Sequence, residues 1–488
     1  MMRPLVIAAL GLTAALPGCS LAPHYQRPAT ASPPAAYRES SGWVLAAPAD
    51  AVPRGSWWAV FHEPALDALE AQASDANQNL KAAFVSLQQS RAQTRIAQAG
   101  YFPSVTADAG ATRNRVSENS PSFVAGKPAL YSDFILGGEL SYEIDLFGRV
   151  RNTVSGARAT EQATAGDVAA LDLSVHAELA SDYFALCGLD AQQQLLDHTV
   201  ADYAKALQLT ENLYHGGAAA IADVQQATAQ LESARTQAED TRLRRAQTEH
   251  AVAVLVGQQA SSFHLESHAL PSGELPPTID PGLPSQLLER RPDVAAAERR
   301  VAAANAQIGV ARAAYFPVFS LTGSAGLESV AASDWLTAPS RFWSIGPQGL
   351  LTVFDGGLHR AQSAAAHAAY DQQVANYRNS VLTAFQDVED NLAALRQLEQ
   401  ESVSEAAAVA ATQGALEQAN YRYQGGLVTY LEVVSTENAA LSAQLAALDI
   451  QVRRITASVL LIKALGGDWN AATPARTGLA ANNPTAAP

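Results

Sequence analysis

Cysteine is almost absent: the 488 residues hold two, Cys19 and Cys187. Two sulfurs in such unlike settings exclude a disulfide framework or a cysteine-built metal knot. Cys187, alone in an alanine-rich helical stretch, reads as a buried structural thiol. Charge is also scarce. Asp, Glu, Lys and Arg make up 16% of the chain, where soluble domains carry about 25%. The net charge of -15 argues against a nucleic-acid partner. Aromatics are 7%, which suits helices packed closely through small side chains. Beyond the N-terminus no apolar run reaches the ~18 residues of a helical membrane span. There is no phosphate loop, no nucleophile elbow and no HExxH pair. His264 and His268 stand four apart, but in linker sequence. No catalytic residue, metal or cofactor is expected, so any energy source belongs to a partner.

What is present begins with a signal peptide over 1–18: Arg3, then an apolar run from Leu5 to Leu16. Leu16-Pro17-Gly18-Cys19 resembles a bacterial lipobox, which makes Cys19 the lipidated first residue. Pro17 departs from the small or branched residue usual there. Ser20, rather than Asp, after the cysteine implies sorting to the outer membrane. A proline-rich extended segment follows, and 19–62 forms one N-terminal unit.

The remainder is a tandem repeat. Arg290-Arg291-Pro292-Asp293-Val294 opens a helix that runs to Tyr315-Phe316-Pro317, where an alternating strand begins. Pro292 suits a first helical turn, and Asp293 and Glu298 lie toward the positive end of the helix dipole. The same corner occurs earlier at Gly100-Tyr101-Phe102-Pro103. Each repeat, 63–256 and 291–466, is expected to hold a helix, two strands and a long helix pair, with a linker at 257–290 and a tail at 467–488. The strands are expected at about 103–113, 133–146, 318–328 and 342–354. Phe134, Leu136, Leu140, Tyr142 and Ile144 face one way; Asp133, Glu139, Glu143 and Asp145 face the other. That is the pattern of a membrane barrel strand, lipid outside and water inside. Four strands cannot close a barrel, and an open edge in lipid is forbidden. The chain must therefore oligomerise, and a trimer is favoured if it conducts. Two proline-free helical stretches of roughly 65 residues, about 98 Å at 1.5 Å each, need neighbours on two sides.

Glu289-Arg290-Arg291-Pro292-Asp293-Val294, Ala303 to Ala311 and Tyr315-Phe316-Pro317 resemble the outer-membrane factor family, the TolC-type channels. The lipobox, the Tyr25–Pro28 segment and the double repeat resemble its lipoprotein branch, which serves resistance-nodulation-division pumps. The resemblance covers about Cys19 to Asp468. It implies a mainly α chain with a membrane β-barrel: a homotrimer with a twelve-stranded barrel in outer-membrane lipid, continuous with a twelve-helix periplasmic tunnel. It also implies a periplasmic adaptor and an inner-membrane pump as partners. The function implied is a passive exit duct for small molecules such as drugs or toxic compounds. Type I protein secretion and a non-conducting coiled-coil scaffold are the alternatives.

Two Gly-Gly turns end the longest helices, at Gly216-Gly217 and Gly425-Gly426. They resemble the family's tip turns, where adaptors dock and the tunnel closes. By that resemblance Asp223 and Glu432 match acidic constriction positions, Leu431 an apolar gate position, and Tyr423 a tyrosine tying inner to outer helices. Ser435 stands where relatives carry a second aspartate. Helix capping or dipole pairing competes for Asp223 and Glu432. Asp387 and Asp390 share a helix face that reads as solvated.

Overall fold

The computed structural model describes residues 20–30, 37–40, 56–121, 126, 128–270, 277 and 291–467. The signal peptide, Cys19, the Glu289-Arg290 part of the motif and the tail after 467 lie outside the described residues.

The two repeats match in the lengths of four elements. Helices α2 (Gln78–Ala99) and α5 (Pro292–Ala313) each have 22 residues. Strands β1 (Ser104–Arg115) and β3 (Val318–Ser329) each have 12. Helices α3 (Arg149–His215) and α6 (Leu358–Gln424) each have 67, or about 100 Å at 1.5 Å per residue. Helices α4 (Ile221–Leu255) and α7 (Tyr430–Ala464) each have 35. Strands β2 (Leu130–Ile144) and β4 (Arg341–Leu350) differ, with 15 and 10 residues. A further helix, α1 (Pro64–Ala76), precedes α2. None of the described helices is long and apolar enough to cross a membrane.

The chain divides into two compact units. One holds Met1–Ala29, Ser86–Thr164 and Ala296–Tyr377; the other holds Thr30–Val85, Ala165–Ala295 and Arg378–Pro488.

The first unit contains a four-stranded antiparallel sheet in the order β1-β2-β3-β4. Its register brings the separate alternating patterns onto common faces. Val105, Leu140, Gly323 and Ile345 stand abreast, as do Ala107, Gly138, Ala325 and Trp343. Thr106, Glu139, Ser324 and Ser344 form a polar row on the opposite face. Trp343 and Ile345 are 78% and 64% exposed on the apolar face. The expected acidic row is shorter than the sequence suggests. Asp145 lies just past the strand and caps α3, accepting hydrogen bonds from the Val150 and Arg151 amides at 3.2 and 2.9 Å. Glu143 is engaged by Arg149. Asp355 acts likewise before α6, accepting from the Gly357 and His359 amides at 2.8 Å each. That explains why β4 stops at Leu350 and does not continue to 354: residues leading into a cap leave the ladder.

The same unit holds the N-terminal segment. Ser20 donates to the Asn152 side chain at 3.0 Å, and Asn305 donates to the Pro23 carbonyl at 2.9 Å. Tyr25 donates to Glu298, and Arg27 donates to the Tyr377 hydroxyl at 2.9 Å. A Cβ on Gly309 would stand 2.5 Å from Asn152 and 2.7 Å from Ala22. Glycine there lets the segment lie directly on α5.

The second unit has its core in Trp57, Trp58, Phe61, Leu66, Leu179, Tyr183, Phe184, Val252 and Val459. Cys187 is buried among them. Asn77 separates α1 from α2: its side-chain oxygen accepts from the Leu80 amide at 3.0 Å, and its amide donates to the Leu255 carbonyl at 2.7 Å. Arg291 explains the Arg-Pro-Asp motif. It grips Asp293 with two hydrogen bonds of 3.0 and 2.7 Å and donates to Asp387 at 2.8 Å. It also reaches the Ala464 carbonyl at 3.3 Å. The face of α6 expected to be merely solvated is therefore an anchor. Asp387 holds Arg291, and Glu389 accepts from the Arg38 and Glu39 amides at 2.8 and 3.0 Å. Only Asp390 keeps a local partner, Gln386, at 3.2 Å.

One buried pair links α1 to α3. Glu70 and His176 are hydrogen-bonded, with Trp58 stacked on the imidazole at 4.6 Å. Burial alone would lower the His176 pKa, but the Asp172 and Glu70 carboxylates outweigh it and raise it to about 9. Its contribution to stability is complete below the ordinary 6.5 and is lost as pH rises through about 9. The thermal midpoint in detergent should therefore fall as pH rises through that range. In His176→Gln the midpoint should be lower near neutrality, and the pH dependence that remains should be that of Glu70, whose carboxyl is pushed up to about 7 by burial.

Candidate functional site

Apart from Cys19, which lies outside the described residues, the sites singled out by sequence lie at the two turns, within the second unit. Both turns close with one hydrogen-bond pattern. The Gly217 amide donates to the Tyr214 carbonyl at 2.9 Å, and Ala218 donates to Leu213 at 2.8 Å. At the second turn Gly426 donates to Tyr423 at 2.9 Å, and Leu427 donates to Arg422 at 2.8 Å. This is the Schellman closure of a helix C-terminus, which needs a left-handed residue. Gly217 and Gly426 supply it, with φ of 76° and 68°. Gly216 and Gly425 are not in that region; each donates back into its helix at 3.0 Å.

The return helices start alike but use their acids differently. Asp223 and Glu432 occupy the same position, three residues past Ala220 and Thr429. The Asp223 carboxylate accepts from the Ala220 amide at 3.0 Å, so it closes its own helix terminus. Ala220 has no side-chain oxygen to reciprocate, so this is half a capping box. Glu432 instead accepts from Arg422 on α6 at 2.5 Å, bridging the two helices of its hairpin. The first hairpin has Leu213 where the second has Arg422, so no such bridge can form there. Leu431 is an apolar residue left 57% exposed. Ser435 is exposed on the same helix.

Tyr423 packs on Tyr430 with ring centroids 5.5 Å apart. Both belong to an apolar cluster that draws in all four long helices: Leu207, Ala227, Ala419, Val433 and Val434. Sequence reasoning missed Arg422, Tyr430 and Glu437. The last two were legible as periodicity, since Tyr430, Val433, Glu437 and Leu441 recur at the spacing of one helix face. Among the described residues no group of His, Cys, Asp and Glu is arranged to hold a metal.

Equal-length helix hairpins, an amphipathic antiparallel sheet and an internal repeat define a channel subunit of the outer membrane. The chain matches the family model described as outer membrane efflux protein over residues 69–258 and 283–467, and it belongs to that family. It is 33% identical over 456 residues to the toluene efflux pump outer membrane protein TtgC of Pseudomonas putida, covering 93% of each chain. It is 31% identical over 476 residues to the cation efflux system protein CusC of Escherichia coli, covering 96% of this chain and all of the other. Its fold is similar to the crystal structure of the Campylobacter jejuni CmeC outer membrane channel: TM-score 0.87, 26% identity, with 93% of this chain and 96% of that one covered. The fold class is thus mainly α with a membrane β-barrel. The chain is the outer-membrane channel component of a tripartite efflux system, extending into the periplasm. The family consists of channels rather than enzymes, and the scaffold alternative falls away.

Removing the two acids should have different local effects. Asp223→Ala should cost about 1 kcal/mol and speed amide exchange in the first turn of α4. Glu432→Ala should leave the first turn of α7 nearly unchanged and instead loosen Arg422, an exposed pair worth at most about 1 kcal/mol. Hydrogen exchange on the two variants separates these outcomes.

Proposed function

We propose that three copies of the chain close one twelve-stranded ring in outer-membrane lipid, and that the helix hairpins form a periplasmic duct ending at the Gly-Gly turns. The observation that carries this is the sheet order β1-β2-β3-β4. Among the described residues it leaves β1 and β4 each with one edge unpaired. Unpaired backbone groups are not tolerated in hydrocarbon, and a membrane barrel needs about eight strands or more. Two copies leave little lumen; three leave a conducting one.

Cys19 is the proposed lipid anchor. The tip turns at Gly216-Gly217 and Gly425-Gly426 are proposed to receive a periplasmic adaptor that joins the duct to an inner-membrane resistance-nodulation-division pump. Leu431 is exposed beside the Arg422–Glu432 bridge. Leu431 and Glu432, with Asp223 and Tyr423, are proposed to line and hold the closed mouth. Three symmetry copies of an acid near one axis repel each other and attract cations. The cargo is proposed to be small toxic compounds. Two similar proteins bear names with unrelated cargo, toluene and cations. A passive duct that selects little leaves that choice to the pump.

Two measurements test this. The purified protein should migrate as a heat-modifiable oligomer of three chains and conduct ions in planar bilayers; a detergent-free soluble monomer would end the proposal. Replacing Leu431 with Ala together with Glu432 with Ser should raise single-channel conductance by about twofold or more, as expected when an apolar and charged constriction is relieved. Unchanged conductance removes both residues from the mouth.

A further inference from the structure

Just beyond the tip cluster, the apolar face of α7 is interrupted by one acid. Glu437 follows Tyr430 by seven residues and Val433 by four, and precedes Leu441 by four, so it points into the same packed seam. Tyr430 and Val433 lie in the cluster below it, and Leu441 packs with Leu196 and Ala238 above. The Glu437 Oε2 atom is buried and has no hydrogen-bond partner. The charged group that acts on it is another acid. From α3 it faces Tyr203 and the carboxylate of Asp202, which is already held by Lys205 at 2.9 Å. From α4 comes Gln230, engaged with Asn438 at 2.8 Å in an amide pair that closes at 3.2 Å in return. From its own helix comes Tyr430, which also faces Tyr203 and the Tyr423 ring of α6. On α6, Arg422 is taken by Glu432.

A carboxylate oxygen buried without a donor is costly when the group is charged and tolerable when it is protonated. We propose that Glu437 is a proton-operated latch: protonated, it lets α7 pack tightly against α3 and α4 above the tip turns; ionised, it loosens that packing. The ligand of the latch is the periplasmic proton. The first hairpin has no counterpart, because Thr228 stands at the equivalent place. Burial first, and then the charge of Asp202, push the Glu437 pKa up to about 7. The sign follows. The packed state is fully favoured below the ordinary 4.5, and its advantage is lost as pH rises through about 7. The latch rests on the proposed mouth only for its effect on conductance; the packing change stands by itself.

The test uses the full-length protein in detergent. Amide protection factors for Val433 to Ala440, corrected for the pH dependence of free-amide exchange, should fall about tenfold between pH 5 and 8. In Glu437→Gln, which keeps shape and removes the charge, they should stay high and flat. Asp202→Asn should move the wild-type transition to lower pH. If Glu437→Gln shows the same fall as wild type, or wild type shows none, the latch is overturned. Single-channel recordings on the same samples separate the two readings. If protection responds to pH in wild type alone while conductance ignores both pH and Leu431, the latch stands and the mouth reading fails.

Discussion

Every backbone N–H and C=O placed in hydrocarbon needs a partner, and one chain of this protein cannot provide them all. Its four strands pair in sequence order and leave β1 and β4 as edges. A helical span is not available as an alternative among the described helices. This makes the sheet register a functional quantity. Because the side-chain period is two, a slip of one residue in any ladder would move Trp343, Ile345 and Leu140 to the polar side. The observed pairing keeps them on one face with Val105 and Ala325.

The long helices meet a related constraint by different means. A helix of about 100 Å has no single small core to pack on, so its contacts are spread along its length. Clusters recur at Leu196, at Tyr203 and at Tyr430, built from Ala, Leu and Val, with tyrosines in the last two. The ends need more definite chemistry, because four carbonyls and four amides go unpaired at each helix terminus. Two glycines with positive φ satisfy the carbonyls at the turns, and Asp145 and Asp355 satisfy amides at the opposite ends of α3 and α6.

Much of this was legible before any coordinates. The helix-to-strand corners at Tyr101-Phe102-Pro103 and Tyr315-Phe316-Pro317 exposed the repeat, because proline after an apolar run ends a helix whatever surrounds it. The alternation in β2 exposed the sheet faces. What failed to show was which acids act locally. Asp145 continued the strand alternation perfectly well, yet four residues further the chain turns helical and needs a cap, and the cap takes the carboxylate. Asp387 looked solvated because its partner, Arg291, is remote in sequence. At the turns, the glycine pairs marked where the helices end, whereas the bridge from Arg422 to Glu432 depended on how two helices face each other.

The two hairpins share one backbone design and differ in chemistry, and the difference has a direction. The first hairpin carries Leu213, Ala220, Ile221 and Thr228; the second carries Arg422, Thr429, Tyr430 and Glu437 at the matching places. Ile221 is exposed while Tyr430 is buried. Asp223 is bound to its own helix, whereas Glu432 reaches across to α6. The difference is confined to the tips: farther along, the first hairpin is bridged between α3 and α4 by Arg242–Asp197 and Arg245–Asp190, but at its turn it is closed by backbone and cap alone. A contact confined to one helix survives when hairpins shift relative to each other; a contact that spans helices does not. At the tips, the second hairpin is therefore the one whose packing depends on charge.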